Sequence, residues 1–319
     1  MRAFAVACAL ASALAAPAAL AQDYPTRPVR IVVGFPAGAA GDLAARTVGT
    51  KLGQALGQQV IVENKPGASS NIATEFAARA PKDGYTLFLG TVANAVNAAV
   101  ASNLPFDLQK DFTPIGLVAV VPVILVVNPS TGVGTLAELV ALAKKKPGEL
   151  FYASTGVATT PHLAGELLNV RAGIKLVHVP YQGSPQAVTD LLAGRTQIMF
   201  ASASTVIPHI AAGTLKAIPW ASSKRSSLAP DLPTVAEAGH AELDASIWFG
   251  LMAPSDTPTE IIGKLGRALD EVMNSRETLA QLKTQGFEPL TGGGQEFSRY
   301  IAAEQRKWTA AAETAGVRK

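Results

Sequence analysis

The chain has 319 residues, of which 48% are hydrophobic and only 16% are charged, and its formal net charge is +3 at pH 7. A charge this close to zero gives no basic surface of the kind that binds nucleic acid. The single cysteine, Cys8, excludes an internal disulfide and a cysteine-based metal site.

The first 21 residues have the pattern of a secretory signal peptide. Arg2 precedes an uninterrupted run of small and apolar residues, and Ala19-Leu20-Ala21 has the A-x-A form of a cleavage site. We therefore expect cleavage after Ala21 and export. Lipidation of Cys8 is the alternative, but it would leave too short an apolar region before the cysteine. Later apolar runs are shorter than the ~20 residues that span a bilayer, so the mature chain is not expected to insert into a membrane.

Strands and helices are predicted to alternate in the first part of the mature chain. The β-branched run at 29–33 is typical of a strand and ends in a loop of small residues, after which Asp42 can cap a helix. Further strands are predicted at 59–63 and 85–89, each followed by a helix. This alternation is typical of a mostly parallel sheet that is covered by helices on both faces.

The same alternation returns in the second half of the chain. Thr135 and Glu138 have the spacing of a capping box, which starts a helix there. Strands are predicted at 151–154, 176–179 and 197–200, each followed by a loop and a helix. The sequence therefore predicts a second module of the same construction as the first.

Two apolar runs, at 118–127 and 247–253, bracket the second module, and we interpret them as segments that cross between two domains. The predicted fold is α/β with two lobes, each a mixed, mostly parallel sheet flanked by helices, joined by two crossover strands. The predicted divisions are the signal peptide at 1–21, the first part of domain 1 at 22–123, domain 2 at 124–245 and the return segment of domain 1 at 246–319. A cleft between two lobes is a preferred place for a small-molecule site.

Catalytic motifs are missing from the sequence. It contains no G-x-S-x-G, phosphate-binding loop, H-E-x-x-H or G-x-G-x-x-G string, and its histidines, at 162, 178, 209 and 240, are far apart along the chain. We therefore expect no enzymatic activity, no cofactor and no bound metal. The alternative is a secreted hydrolase in which His162 or His178 acts with a nearby serine, which requires a base and nucleophile within ~3 Å.

Loops rich in small and hydroxyl residues follow the predicted strands. In a parallel sheet these loops lie at the carboxyl ends of the strands, where free backbone N–H groups and helix dipoles can hold an anion. The alternative is that they only make turns and cap helices. For Trp248, a place in the wall of the ligand site and a place in the core both stay open. The candidate ligand-binding residues are Phe35, Ala37, Gly38, Ala39, Ala40, Gly41, Asp42, Ser69, Ser70, Asn71, Thr91, Ser154, Thr155, Gly156, Thr159, His162, Tyr181, Gly183, Ser184, Ala201, Ser202 and Trp248.

A succession of short strings along the mature chain indicates a family. In order, the strings are GFPAG at 34–38 followed by Asp42, NKPGA at 64–68, DGYTL at 83–87, PHLAGE at 161–166, HVPY at 178–181, PTVAEAG at 233–239 and WFGL at 248–251. Each string alone is modest, but together they cover essentially the whole mature chain. The chain resembles the Bug-type periplasmic solute-binding proteins of tripartite tricarboxylate transporters.

The resemblance implies a monomeric, periplasmic protein with a type II periplasmic-binding-protein fold that closes on a small organic acid. It implies that backbone amides, hydroxyls and ordered water of the loop at 35–41 hold the ligand carboxylate. It also implies delivery of the ligand to the membrane permease subunits of a tripartite tricarboxylate transporter. Presentation of the ligand to a sensor system is the alternative output.

The chain departs from the family pattern at three places. Ala39 stands where a second glycine is usual, and Ser70 stands where glycine is frequent. Ala201 and Ser202 are uncharged, where the family commonly has an aspartate after the strand that ends at Phe200. Because an aspartate there would suit a ligand with an ammonium group, its absence favours a plain mono- or dicarboxylate, including an aromatic one, over an amino acid.

Overall fold

The computed structural model describes residues 24–101, 103–222, 225–226, 230–240 and 243–316. The predicted signal peptide lies outside the described residues. Within them, the strands are β1 (Val29–Val33), β2 (Val60–Asn64), β3 (Thr86–Thr91), β4 (Phe112–Val121), β5 (Val123–Val127), β6 (Leu150–Ser154), β7 (Leu176–Pro180), β8 (Ile198–Ser202), β9 (Lys216–Trp220), β10 (Ile247–Pro254) and β11 (Glu288–Pro289).

Helices follow most of these strands. The α-helices of the described residues are α1 (Ala40–Leu56), α2 (Asn71–Ala78), α3 (Val92–Val100), α4 (Leu136–Lys145), α5 (Thr160–Ala172), α6 (Ser184–Leu192), α7 (Ala203–Ala211), α8 (Thr259–Asn274), α9 (Arg276–Thr284) and α10 (Gly294–Ala315). Helix α4 begins as predicted, because the Glu138 N–H donates to Thr135 Oγ1 at 3.2 Å and the Thr135 N–H donates to Glu138 Oε2 at 3.1 Å. None of the described helices is both long enough and apolar enough to span a bilayer.

The first sheet has the described strand order β11-β4-β10-β3-β1-β2. Strand β1 pairs in parallel with both β2 and β3, while β10 runs antiparallel to β3 and β4. Strand β1 forms because its β-branched residues alternate into two buried faces, and Ile31 and Val32 are completely buried. We call this sheet and its helices lobe 1.

The second sheet has the described strand order β7-β6-β8-β5-β9. Strand β6 pairs in parallel with β7 and β8, whereas β5 runs antiparallel to β8 and β9. We call this sheet and its helices lobe 2. The prediction of two mixed sheets flanked by helices is confirmed, and the antiparallel pairs all involve the crossing strands or the strands beside them.

The chain passes between the lobes at two places. Strand β4 belongs to lobe 1 and β5 to lobe 2, with only Pro122 between them. The return occurs between β9 of lobe 2 and β10 of lobe 1. Proline removes a backbone donor, so it interrupts the sheet at the crossing point. The domain boundaries at 123 and 245 stay a prediction.

Candidate functional site

A small cavity lies between the two lobes. The loops that follow β1 and β3 in lobe 1 meet the loops that follow β6, β7 and β8 in lobe 2, so both lobes present the carboxyl ends of strands to it. The lining residues are Phe35, Ala39, Ala40, Gly41, Thr91, Val92, Ala93, Thr155, Thr159, Thr160, Pro161, Ser184, Ser202, Ile247 and Phe249. None of these described lining residues has an ionisable side chain.

The loop after β1 is held by the side chain of Asp42. Helix α1 begins at Ala40 with Ala39 as its N-cap, so the predicted capping role of Asp42 is wrong. Asp42 instead lies in the first turn, and its Oδ2 accepts the N–H of Gly38 at 2.9 Å. The Gly38 amide, which the sequence suggested for ligand binding, is therefore already bonded inside the protein. On the other side of the carboxylate, the Asn64 side-chain amide donates a hydrogen bond to Asp42 Oδ1 at 3.0 Å.

Asp42 is ionised although its side chain is almost completely buried. Burial raises the pKa of its carboxyl, but hydrogen bonds from Arg46, Gly38 and Asn64 outweigh burial and hold the pKa below its ordinary value. The Arg46 guanidinium lies 2.9 Å from Asp42 Oδ1 and is half exposed on the outer side of the helix. The charge of Asp42 is thus neutralised away from the cavity, and the residue serves to shape the loop.

Two backbone donors of α1 remain free at the cavity. Among the described residues, no acceptor is found for the N–H of Ala40 or of Gly41, whereas the Ala39 N–H donates to Pro36 O. A side chain at Gly41 would crowd the Phe249 ring, which lies 3.3 Å from the position of a Cβ atom. Glycine therefore lets the aromatic wall approach the start of the helix closely.

The second loop of lobe 1 does not reach the cavity wall. Ser70 is completely buried between Gly34 and Asn94, and Asn71 Oδ1 accepts a hydrogen bond from Asn97 at 2.7 Å. Ser69 instead crosses to lobe 2, where its hydroxyl donates to Val157 O at 2.5 Å. The structure thus places Ser70 and Asn71 in the framework of lobe 1, and Ser69 at a contact between the lobes.

Lobe 2 contributes mainly hydroxyl groups to the cavity. Thr155, Thr159, Ser184 and Ser202 line it as the sequence suggested, and their contact with a ligand stays a prediction. The other candidates of this lobe stand behind or beside the wall. Those residues are Ser154, Gly156, His162, Tyr181, Gly183 and Ala201.

Tyr181 and Gly183 have other partners in the structure. The Tyr181 hydroxyl donates to Asp190 Oδ2 at 2.8 Å, so it points toward α6. Gly183 faces Pro36 of lobe 1, where an added Cβ atom would lie 2.7 Å from the proline Cδ. Gly183 is therefore a second point of close contact between the lobes.

Two neighbouring histidines lie beneath the loop after β6. The rings of His162 and His178 are 4.2 Å apart, and His162 Nδ1 accepts the N–H of Ala158 at 3.2 Å. His178 Nε2 lies 2.6 Å from Ser154 Oγ, which also accepts the N–H of Gly156. The pair has the distance that the hydrolase alternative requires, but Ser154 is completely buried and does not line the cavity. The two histidines instead hold the loop after β6 in place, through hydrogen bonds with the Ala158 N–H and with Ser154.

Stability should fall in mild acid because of these histidines. Burial, and to a smaller extent the neighbouring His162, lowers the pKa of His178 to about 4. Burial also lowers the pKa of His162. A folded-state pKa below the ordinary value of 6.5 means that this contribution is complete above pH 6.5 and is lost as the pH falls toward 4. We expect the free energy of unfolding to drop by about 2 kcal/mol from pH 7 to pH 4.5.

Urea denaturation at several pH values measures this drop. His178→Gln keeps a side-chain amide that can hydrogen-bond with Ser154 and removes the titration, so the variant should lose less stability over the same interval. An equally steep decline in the variant would contradict the assignment to His178.

Of the two positions left open for Trp248, the structure shows the one in the core, so Trp248 is not part of the cavity wall. Trp248 is 1% exposed, packs against Phe297 and donates its indole N–H to Glu304 Oε2 at 3.1 Å. Its neighbours Ile247 and Phe249 line the cavity instead, because side chains alternate between the two faces of a strand. That alternation was present in the sequence and could have identified Phe249.

Four further lining residues were not predicted: Val92, Ala93, Thr160 and Pro161. They occupy the first turns of α3 and α5, one or two positions beyond the loops that the sequence pointed to. The position of the loops at the carboxyl ends of the strands could have indicated them too, since the first turn of a helix faces the same edge of the sheet as the loop before it.

Helix N-termini converge on the cavity from both lobes. Among the described helices, α1, α3, α5, α6 and α7 all begin there, and each N-terminus carries a partial positive charge. The described residues contain no cluster of histidine, cysteine, aspartate or glutamate that could hold a metal ion. A two-lobed fold with a small, uncharged, donor-rich cavity between its lobes defines a solute-binding protein.

Comparison with known proteins identifies the family. Residues 44–317 match the sequence profile of the tripartite tricarboxylate transporter family receptors, and the chain belongs to this family. Protein BugT of Bordetella pertussis is 35% identical over 307 residues, which are 96% of this chain and 94% of BugT. The prediction of a Bug-type receptor is confirmed.

Two solved structures of similar fold were determined with a carboxylate. R. palustris Rpa4515, solved with adipate, has a TM-score of 0.88 and 34% identity, covering 92% of this chain and 98% of that one. MatC from Rhodopseudomonas palustris, solved with bound malate, has a TM-score of 0.85 and 27% identity, covering 90% of this chain and 99% of that one.

Proposed function

We propose that the protein captures a small organic carboxylate in the cavity between its lobes and delivers it to the membrane permease of a tripartite tricarboxylate transporter. The observation that carries the proposal is the convergence of helix N-termini on a cavity whose described lining residues are all uncharged. Such a site attracts an anion through backbone dipoles and N–H groups. We further propose that the protein works in the periplasm, after removal of residues 1–21.

An uncharged site suits a protein that must release its ligand. A carboxylate buried against a fixed cation carries a large desolvation penalty, which only a well-formed ion pair offsets. Free N–H groups such as those of Ala40 and Gly41, together with the hydroxyls of Thr155 and Ser184, can share the negative charge without a buried countercharge. The adipate and malate found in the two relatives are ligands of this chemical class.

The cavity wall also supports binding over catalysis. Phe35 and Phe249 provide apolar surface for the body of a ligand, and the nearest serine–histidine pair has its serine completely buried behind the wall. A nucleophile in that position has no access to a bound acid. We therefore propose that the protein is not an enzyme, in keeping with a family of receptors.

Thermal-shift measurements over a panel of carboxylates test the proposal. Ligand-free protein, obtained by unfolding and refolding, should be stabilised by about 2.7 kcal/mol when an acid is present at 100 times its Kd. The panel should contain aliphatic mono- and dicarboxylates and aromatic acids, each paired with its neutral amide. Stabilisation by acids but not by their amides is the expected result. If no acid stabilises the protein, or if amides act equally well, carboxylate capture is wrong.

A further inference from the structure

Left-handed backbone conformations are concentrated where two loops of different lobes touch. Five non-glycine residues of the described chain have a positive φ, and three of them are consecutive: Ala68, Ser69 and Ser70, at 45°, 53° and 78°. A fourth is Ala158, at 59°, in the lobe 2 loop that Ser69 contacts. This conformation is costly for a residue with a side chain and persists only where the surrounding structure imposes it. Strain of this kind collects at ligand clamps and switch regions.

Asn97 of α3 imposes the left-handed turn of lobe 1. Asn97 is 2% exposed, and its Nδ2 donates to Ser69 O at 2.8 Å and to Asn71 Oδ1 at 2.7 Å. Both protons of this amide are therefore used on the turn and on the residue that follows it. If the turn relaxed, the buried amide would lose its acceptors, which is unfavourable. Asn97 thus fixes the backbone of Ser69 and, with it, the direction of the Ser69 side chain.

The loop of lobe 2 is held from within its own lobe. The left-handed Ala158 donates its N–H to His162 Nδ1 at 3.2 Å, which fixes the backbone next to Val157. Thr155 and Thr159, on either side of Val157 in the chain, line the cavity. The loop that meets lobe 1 is therefore also part of the cavity wall.

A single hydrogen bond joins the two strained loops. The Ser69 hydroxyl donates to Val157 O at 2.5 Å across the boundary between the lobes, and we call this the closure contact. The approach is tight, because a Cβ atom at Gly156 would lie 2.8 Å from Ser69 Oγ. Since the direction of a side chain follows from φ and ψ, a relaxed turn would carry the hydroxyl away from its acceptor.

We propose that the closure contact is a latch, which forms when the lobes close on a ligand and slows their separation. Ser69 makes the contact, and Asn97 is a positioning residue that aims Ser69 at lobe 2. This inference rests on the proposed function and adds the element that sets how long a bound acid stays. A contact of the closed state alone slows dissociation and leaves association unchanged, because the open protein that meets the ligand lacks it.

Ser69→Ala tests the latch, because it deletes only the hydroxyl of a partly buried residue. Thr50→Val is the matched control, since it deletes a hydroxyl that donates to Arg46 O at 2.8 Å within lobe 1 alone. The probe is adipate, or the acid of the thermal-shift panel that stabilises the protein more. Stopped-flow fluorescence gives the association and dissociation rate constants, and isothermal titration gives Kd.

We expect Ser69→Ala to raise the dissociation rate constant about fivefold, the effect of one hydrogen bond, and to leave the association rate constant unchanged. The melting temperature of the ligand-free protein should not change, and Thr50→Val should change neither rate constant. An unchanged dissociation rate constant, or a loss that falls on association, would overturn the latch while the acid still binds and the proposed function stands. If no acid of the panel binds the wild type, the proposed function and the latch fail together.

Asn97→Ala tests the positioning role. It should lower the melting temperature, because it removes two buried hydrogen bonds, and it should also raise the dissociation rate constant about fivefold. If Asn97 acts through Ser69, the double variant Ser69→Ala/Asn97→Ala dissociates no faster than Ser69→Ala alone, whereas a merely structural role would multiply the two effects.

A second substitution in the turn provides the rescue. Ala68→Gly added to Asn97→Ala should restore part of the slow dissociation, since glycine adopts a φ of 45° without strain. Multiplied effects in the double variant, or no rescue by Ala68→Gly, would remove Asn97 from the latch.

Discussion

Replacement of Gly183 by alanine is expected to weaken ligand binding about tenfold to a hundredfold while leaving the ligand-free protein as stable as the wild type. The added Cβ atom would lie 2.7 Å from Cδ and 3.0 Å from Cγ of Pro36, which belongs to the other lobe. The proline ring cannot rotate away, and overpacking of this kind costs about 1 to 3 kcal/mol. That cost falls only on the state in which the lobes touch, and each tenfold change in affinity corresponds to about 1.4 kcal/mol.

Isothermal titration with the acid found in the ligand panel measures the loss. Gly266→Ala is the control, because no atom lies within 4 Å of a Cβ at that helical position. Pro36→Ala added to Gly183→Ala removes the obstructing ring atoms and should restore much of the affinity. An unchanged affinity in the single variant would show that the bound state does not need this approach of the lobes.

Replacement of Gly34 by alanine should be the most damaging single methyl addition near the site. Its Cβ would lie 1.9 Å from Ser70 Oγ and 2.8 Å from Ser70 Cα, so a change of side-chain rotamer cannot relieve the clash. The end of β1 and the turn at Ala68–Ser70 must separate, which displaces the loop that presents Ala40 and Gly41. We expect a loss of about 3 kcal/mol of stability, a melting temperature lower by roughly 10 °C, and no measurable binding.

Ser70→Gly provides the rescue experiment for Gly34→Ala. It removes the two closest atoms, Oγ and Cβ, and Ser70 already has a φ of 78°, in the region that glycine prefers. The double variant should recover part of the stability and of the binding. If Gly34→Ala melts like the wild type, the close packing between β1 and this turn does not limit stability.

The pattern of β-branched, apolar and helix-capping residues was sufficient to predict the two lobes from the sequence. The β-branched run of β1 and the capping box at Thr135 are local signals, and local physics produces the same strand and helix in the fold. The loops after the strands were found because their position follows from sheet topology alone. These features depend on neighbours in the chain, which the sequence displays directly.

The wall of the cavity was harder to predict because it depends on partners distant in sequence. An aspartate at the start of a predicted helix, such as Asp42, is typical of an N-cap. Only the fold shows that Asp42 accepts hydrogen bonds from Gly38 and Asn64 instead. Trp248 is a larger aromatic residue than Phe249, but Glu304, 56 positions further along, holds the indole inside the core.

The contacts between the lobes also bear on the rate of the transport that we propose. Ser69 with Val157, and Pro36 with Gly183, join two separate pairs of loops around the cavity. If an acid binds between the lobes as we propose, both contacts oppose the separation of the lobes, and the opening motion then limits the rate of dissociation. A permease that pulls these loops apart would accelerate release without touching the ligand, and the residence time in solution would then say little about flux through the membrane.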